Sequence, residues 1–179
     1  MVESIPFETK IVKLVSGTAA KDEYLKEGLK EASKLILNHQ VVAFPTETVY
    51  GLGANALSAE AVEKIFKVKN RPQDNPLIVH VSSLEMLKKL MGGEELSLLY
   101  QKVVQRCWPG PLTILIKKPK GIPDQVSAGQ DTIAVRMPQH PIARALIEAC
   151  GVPLAAPSAN TSGRPSPTLA NHVFDDLKV

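Results

Sequence analysis

Segments with helical and with strand-like hydrophobic spacing alternate through the whole chain, without an internal repeat or a shift in composition, and that alternation restricts the fold more than any other feature. Residues 20–38 place Leu25, Leu29, Ala32, Leu35 and Ile36 on one helical face with lysines and glutamates between them. Residues 40–44 form a short apolar run stopped by Pro45, which predicts a strand that ends in a loop. Ser58 is placed to cap a second helix that buries Val62, Ile65 and Phe66 and is stopped by Pro72. Further strands are expected at residues 77–81, 112–116, 132–137 and 154–156, and helices at 83–91, 94–107 and 141–150. Ser166 ahead of Pro167 marks the expected start of a last helix running toward Leu177. One α/β domain over residues 1–179, built around a largely buried sheet, follows.

Composition matters here for what it excludes. With 44% hydrophobic and 22% charged residues the chain is that of a soluble globular domain, and a net charge of +3 excludes a purely electrostatic, polybasic nucleic-acid binder. Cys107 and Cys150 have no metal-type spacing, and Cys107 is expected to pack beside Trp108. No leader and no run of 18 apolar residues is present, so a reduced, cytoplasmic protein is expected.

Ligands of α/β sheets sit in crevices at strand ends, and three segments there are unusually polar. The first is Pro45-Thr46-Glu47-Thr48-Val49-Tyr50-Gly51-Leu52-Gly53, read as a loop with two permissive glycines. The second, residues 67–76, holds Lys67, Lys69 and Arg71 between helix and strand, with Pro72 and Pro76 restricting it. The third, residues 157–168, is dense in Ser, Thr and Asn. Taken singly, such residues are turn formers or solvated surface; three such loops in one small domain point to a site. A Walker-type phosphate loop, a GxSxG nucleophile and His spacing suited to a metal are all absent, and Gly51-x-Gly53 stands too far from the next helix for a dinucleotide fingerprint.

Together, the Pro45–Leu52 run, Lys69-Asn70-Arg71-Pro72 with residues 75–80, Trp108-Pro109-Gly110-Pro111-Leu112-Thr113 and Pro157-Ser158-Ala159-Asn160-Thr161-Ser162-Gly163 resemble the threonylcarbamoyl-AMP synthases of the YrdC-like family. The resemblance runs from about Tyr24 to the last helix in the family's order and spacing. It implies a YrdC-like fold: a twisted mixed β-sheet flanked by helices, with one concave basic cavity. It also implies a nucleotidyltransferase activity that joins L-threonine, bicarbonate or CO2, and ATP into threonylcarbamoyl-AMP and pyrophosphate. A transferase acting downstream would place the threonylcarbamoyl group on tRNA. Magnesium is expected with the ATP, with no protein ligand assigned to it. By resemblance Arg71, Asn75, Thr132, Asn160 and Thr168 fall at ATP-contacting positions, and Thr48, His80, Arg136 and Ser158 at threonine-contacting ones.

The chemistry suits these residue types. Threonine carbamate attacking the α-phosphorus brings two anions together, so cations and donors matter more than a strong base. Arg71 offers a planar fork and Lys69 a point charge, which makes both candidates for catalysis and ATP binding. Arg136 ends an apolar strand, where its guanidinium needs a carboxylate partner, from the substrate or from Glu47 or Asp131. His80, inside an apolar strand, is either a satisfied core histidine or, with Thr48 or Ser158, a reader of the substrate hydroxyl.

Members of that family normally continue into another strand with a Glu-Ser-Thr motif, and many into a second small domain. This sequence ends at Asp175-Asp176-Leu177-Lys178-Val179, so a domain lacking both is expected. Two other functions fit the same residues: a non-catalytic module for double-stranded RNA or tRNA, and a related carbamoyl-adenylate activity.

Overall fold

The computed structural model describes Thr9, Ile11, Val12 and residues 19–178. Among the described residues six strands form one mixed sheet in the order β1-β2-β6-β3-β5-β4. In chain order the elements are α1 (Ala19–Leu37), β1 (Val42–Phe44), β2 (Gly51–Asn55), α2 (Ala59–Lys69), β3 (Ile78–His80), α3 (Leu84–Leu90), α4 (Leu98–Cys107), β4 (Thr113–Lys117), α5 (Asp124–Ser127), β5 (Thr132–Arg136), α6 (Pro141–Cys150), β6 (Leu154–Ala155) and α7 (Ala170–Leu177). Only β3 and β5 run parallel, Ile78 opposite Ala134 and His80 opposite Arg136; every other pairing is antiparallel.

The predicted elements form, with local corrections. Leu35 is exposed; the buried stripe of α1 instead ends on Ile36, with Leu29 and Ala32 packed beside the same core group. Ser58 caps α2 as expected, its hydroxyl accepting from the Ala61 N–H at 3.2 Å, but the stop is made by Asn70 in the left-handed region (φ 48°), two residues before Pro72. Residues 94–97 precede α4, which Ser97 caps at the Tyr100 N–H. Helix α7 begins at Ala170, because the Pro167 carbonyl is held by the Tyr50 N–H and residues 166–169 stay non-helical. The single turn α5 lies in a segment read as loop. Cys107 is exposed and does not pack.

The main correction is β2. Gly51 and Gly53 do not serve a flexible loop: they stand opposite Phe44 and Val42 in an antiparallel ladder. A Cβ at Gly53 would lie 2.5 Å from the Phe44 ring, so these glycines give that ring its space. Two core groups result. One face of the sheet is covered by α2, α3, α4 and α5, with Val62, Ile65, Phe66, Leu87, Val104 and Val126 on Val79, Ile133 and Val135. The other is covered by α1 and α6 only over β1, β2 and β6, with Ile36, Leu146 and Ile147 on Phe44, Leu154 and Ala156.

Candidate active site

Because α1 and α6 reach only half of their sheet face, the remainder over β3, β5 and β4 carries no helix among the described residues. Side chains alternate along a strand, so Thr132, Ala134 and Arg136 of β5 share this face with Lys117, Leu115 and Thr113 of β4 and with Ile78 and His80 of β3. Leu115 is 57% exposed there. Thr132 and Arg136 mark the two ends of the open strip, about 13 Å apart at roughly 3.3 Å per residue.

At one end stands Arg136, 8% exposed. Its Nη2 donates to Glu47 Oε1 at 2.6 Å and to Thr48 Oγ1 at 3.2 Å, and its Nε to the Gly110 carbonyl at 3.3 Å. The other Glu47 oxygen accepts the Gln139 N–H at 3.1 Å. The Pro45–Tyr50 loop is shaped by Thr46, whose hydroxyl donates to the Val49 carbonyl at 2.6 Å and accepts the N–H groups of Thr48 and Val49. Gly110 is fixed by its N–H on the Met137 carbonyl at 2.8 Å, and the preceding Trp108 donates its indole N–H to the Leu112 carbonyl at 2.8 Å. A Cβ at Gly110 would lie 2.5 Å from the Cys107 carbonyl oxygen, so this turn admits glycine alone without moving.

Electrostatics follow from this packing. Burial alone would raise the Glu47 pKa, but the hydrogen bond and charge of Arg136, with the backbone donors, outweigh it and hold the carboxyl below its usual range. His80 is 4% exposed, edge-on to Phe44 with ring centroids 6.3 Å apart, and its Nδ1 lies 3.2 Å from the Ile78 carbonyl. Burial, reinforced by the Arg136 charge, lowers its pKa to about 4, so the ring is neutral at physiological pH. Its partners here are Phe44 and strand carbonyls, the arrangement of a core histidine in the wall beside Arg136.

The second cluster lies where α2 ends and β6 leaves the sheet. Asn70 turns the chain so that the Arg71 N–H still bonds the Phe66 carbonyl at 3.0 Å, and the Arg71 Nη2 donates to the Pro76 carbonyl at 3.2 Å. Burial lowers the Arg71 pKa, and its Nε is buried without a partner. Lys69 is placed differently from the point charge expected on phosphates: it is 1% exposed, and its Nζ donates to the carbonyls of Ser158 and Asn160. Asn160 is buried, its Nδ2 donating to the carbonyls of Thr161 (3.0 Å) and Arg164 (2.8 Å), and its Oδ1 has no partner among the described residues. Ser158 sits opposite Gly51, which ties this loop to the start of β2.

The structure therefore brings Thr48 to Arg136, with His80 on the neighbouring strand, and Lys69 to Ser158 and Asn160. Thr132 lies at the end of the open strip away from Arg136, and Asn75 and Thr168 are exposed with no side-chain hydrogen bond among the described residues. Three participants escaped the sequence reading. Gly110 acts through its carbonyl, Ser162 has a buried hydroxyl without a partner, and Asp176 pairs with Arg164 from α7. Only the Gly110 position carried a signal, as a glycine between prolines. Among the described residues no group of three His, Cys, Asp or Glu side chains is placed to hold a metal ion, and Glu47 is already committed to Arg136.

Comparison with known proteins agrees with this architecture. The family model Sua5_yciO_yrdC, described as "Telomere recombination", matches residues 34–179. A threonylcarbamoyl-AMP synthase of Bacillus subtilis is 51% identical over 150 residues, covering 83% of this chain and 43% of that protein. One of Pyrococcus abyssi is 51% identical over 149 residues, with the same coverage of each. The crystal structure of P. abyssi Sua5 complexed with L-threonine superposes with a TM-score of 0.81 at 50% identity, covering 84% of this chain and 44% of that one. The chain thus spans less than half the length of these relatives.

Proposed function

The chain belongs to the Sua5, YciO and YrdC family, and on that premise we propose that it forms threonylcarbamoyl-AMP from L-threonine, bicarbonate or CO2, and ATP, releasing pyrophosphate. The observation that carries this reading is the Arg136 guanidinium. It is held by Glu47, Thr48 and Gly110, while its Nη1 has no partner among the described residues, at the end of an open sheet face. A fixed, half-satisfied guanidinium beside a threonine hydroxyl suits an amino-acid carboxylate. The presence of L-threonine in the pyrococcal structure supports it.

In this reading Arg136 and Thr48 hold the carboxylate, and the unprotonated threonine amine adds to CO2 to give a carbamate, its proton passing to solvent. One carbamate oxygen then bonds to the α-phosphorus as the bond to the pyrophosphate oxygen breaks. The buried Asn160 Oδ1 accepts from a nucleoside N–H or O–H, while Thr132, Asn75 and Thr168 line the exposed margin of the nucleotide path. Arg71, with Nε unpartnered, faces phosphate charge. Magnesium enters with ATP as part of the substrate, since this chain has no acidic cluster of its own for it among the described residues. The product, a mixed anhydride, goes to a transferase that modifies tRNA.

Surface lysines of α2 and α3 are paired with glutamates four residues away, Lys64 with Glu60, Lys67 with Glu63 and Lys89 with Glu85, which favours a small-molecule site over a broad RNA-binding face. No helix among the described residues is long and apolar enough to cross a membrane. The deciding experiment incubates the protein with ATP, magnesium and bicarbonate, with and without L-threonine, and measures pyrophosphate and the adenylate product. Threonine-dependent release is expected, and its absence overturns the reading. Arg71→Ala is expected to lower that rate about 10²-fold through weaker stabilisation of phosphate charge, and unchanged turnover would reduce Arg71 to a surface cation.

A further inference from the structure

We propose that Lys69 is a positioning residue for the loop bearing Ser158 and Asn160, acting through that loop's backbone and not on phosphate charge; the inference rests on the nucleotide- and threonine-binding reading above. Its side chain closes a set of ties at the end of α2. Its Nζ donates to the carbonyls of Ser158 and Asn160, and its own carbonyl accepts the Ser162 N–H at 2.9 Å. Between them the Ala159 N–H donates to the Tyr50 carbonyl at 2.8 Å. The loop is thereby pinned from both sides, to the helix by a cation and to the Tyr50 end of the threonine-site loop by its amide.

What the clamp holds in place is an acceptor. The Asn160 amide has both carbonyl partners on Nδ2, which fixes its orientation and leaves Oδ1 buried and open only to a donor. A donor at that point is a ligand N–H or O–H, of the kind a nucleoside supplies, because a phosphate oxygen would be repelled. An ammonium has three donors, and two of those on Lys69 are already spent on carbonyls at 1% exposure. The third donor is left at 1% exposure, so a phosphate would reach it only by displacing the loop that the clamp holds.

The charges around Lys69 give the clamp a pH limit. Burial, then the neighbouring Arg71, lower the Lys69 pKa to about 8, while Asp176 on α7 acts in the opposite direction. Asp176 is itself held, its carboxylate pairing with Arg164 and its carbonyl accepting from the Thr161 hydroxyl at 3.0 Å. The ammonium therefore persists at neutral pH and is lost as pH rises beyond about 8. Binding that depends on the clamp should weaken over the same range.

The test uses a ligand without phosphates. Adenosine, ATP and L-threonine binding are measured by calorimetry for the wild-type chain and Lys69→Met, with amide exchange at residues 158–162 followed in the ligand-free proteins. Lys69→Met is expected to weaken adenosine about tenfold or more, as much as ATP, and to speed exchange in the loop. Adenosine binding unchanged while ATP weakens, or unchanged exchange, overturns the proposal. A wild-type chain without threonine-dependent pyrophosphate release would overturn the enzymatic reading instead, and the exchange measurement would still decide the clamp. Should Lys69→Met fail to fold, Asp176→Asn keeps the lysine and is expected to move the alkaline loss of adenosine binding to lower pH; an unmoved profile overturns the proposal.

Discussion

Arg136→Ala is expected to abolish threonine-dependent pyrophosphate release, with a fall of about 10³-fold, because it removes the one fixed guanidinium on the open sheet face. The loss has two sources. In the proposed site the substrate carboxylate loses its partner, and Glu47, with its side chain only 18% exposed, is left without the cation that lowers its pKa. Breaking a buried pair by deleting one member costs about 3 kcal/mol, so the melting temperature should also drop by roughly 6–12 °C in a chain of this size. Arg136→Lys separates the two effects: it returns charge to Glu47 but not the planar fork. Recovery of stability without recovery of activity is the expected result, and full activity in either variant would remove Arg136 from the site. The pH dependence has a definite sign. The Glu47 carboxyl is held below its usual range, so the pair contributes fully above the ordinary carboxylate pKa and is lost as pH falls through the lowered one.

Phe44→Ala is expected to be the most destabilising single truncation near the site, by about 3–5 kcal/mol. The ring is 2% exposed, lies against Gly51 and Gly53, and meets His80 edge-on. Thermal unfolding should shift down by roughly 6–20 °C. Removing the ring also frees the neutral His80 from its packing, so L-threonine binding should weaken in the fraction that stays folded. A shift of only a degree or two would mean that α1 and α6 close over the gap. The glycines make the same point in reverse, since Gly53→Ala pushes a methyl into the Phe44 ring.

Much of this was legible in the order of residues, and for stated reasons. Strands β3, β4, β5 and β6 are apolar runs bounded by breakers, and α6 begins on Pro141 and ends before Gly151 as its sequence indicates. Strand β2 was not legible, because Gly51 and Gly53 read as turn residues unless Phe44 is known to lie across from them. The start of α7 was misplaced because Pro167 is as good a first helical residue as it is a hydrogen-bond acceptor to Tyr50, and only the tertiary contact decides. At the site, a partner for Arg136 was foreseen from the cost of burying a guanidinium, with Glu47 among the candidates, and the structure supplies Glu47. The carbonyl partners of Lys69 were not foreseen. Sequence shows a cation beside Arg71, but the two carbonyls it meets lie 89 and 91 residues further along the chain.

The open strip along β5 also gives the chemistry a direction. Arg136 and Thr132 stand at its opposite ends, so in the proposed reaction a carbamate held at the Arg136 end would meet the α-phosphorus from one side only. In an in-line displacement the pyrophosphate must then depart on the far side. Such a transfer inverts the configuration at phosphorus. The alternation of three residues in one strand would thus set the side from which the proposed reaction approaches phosphorus as well as the place where it happens.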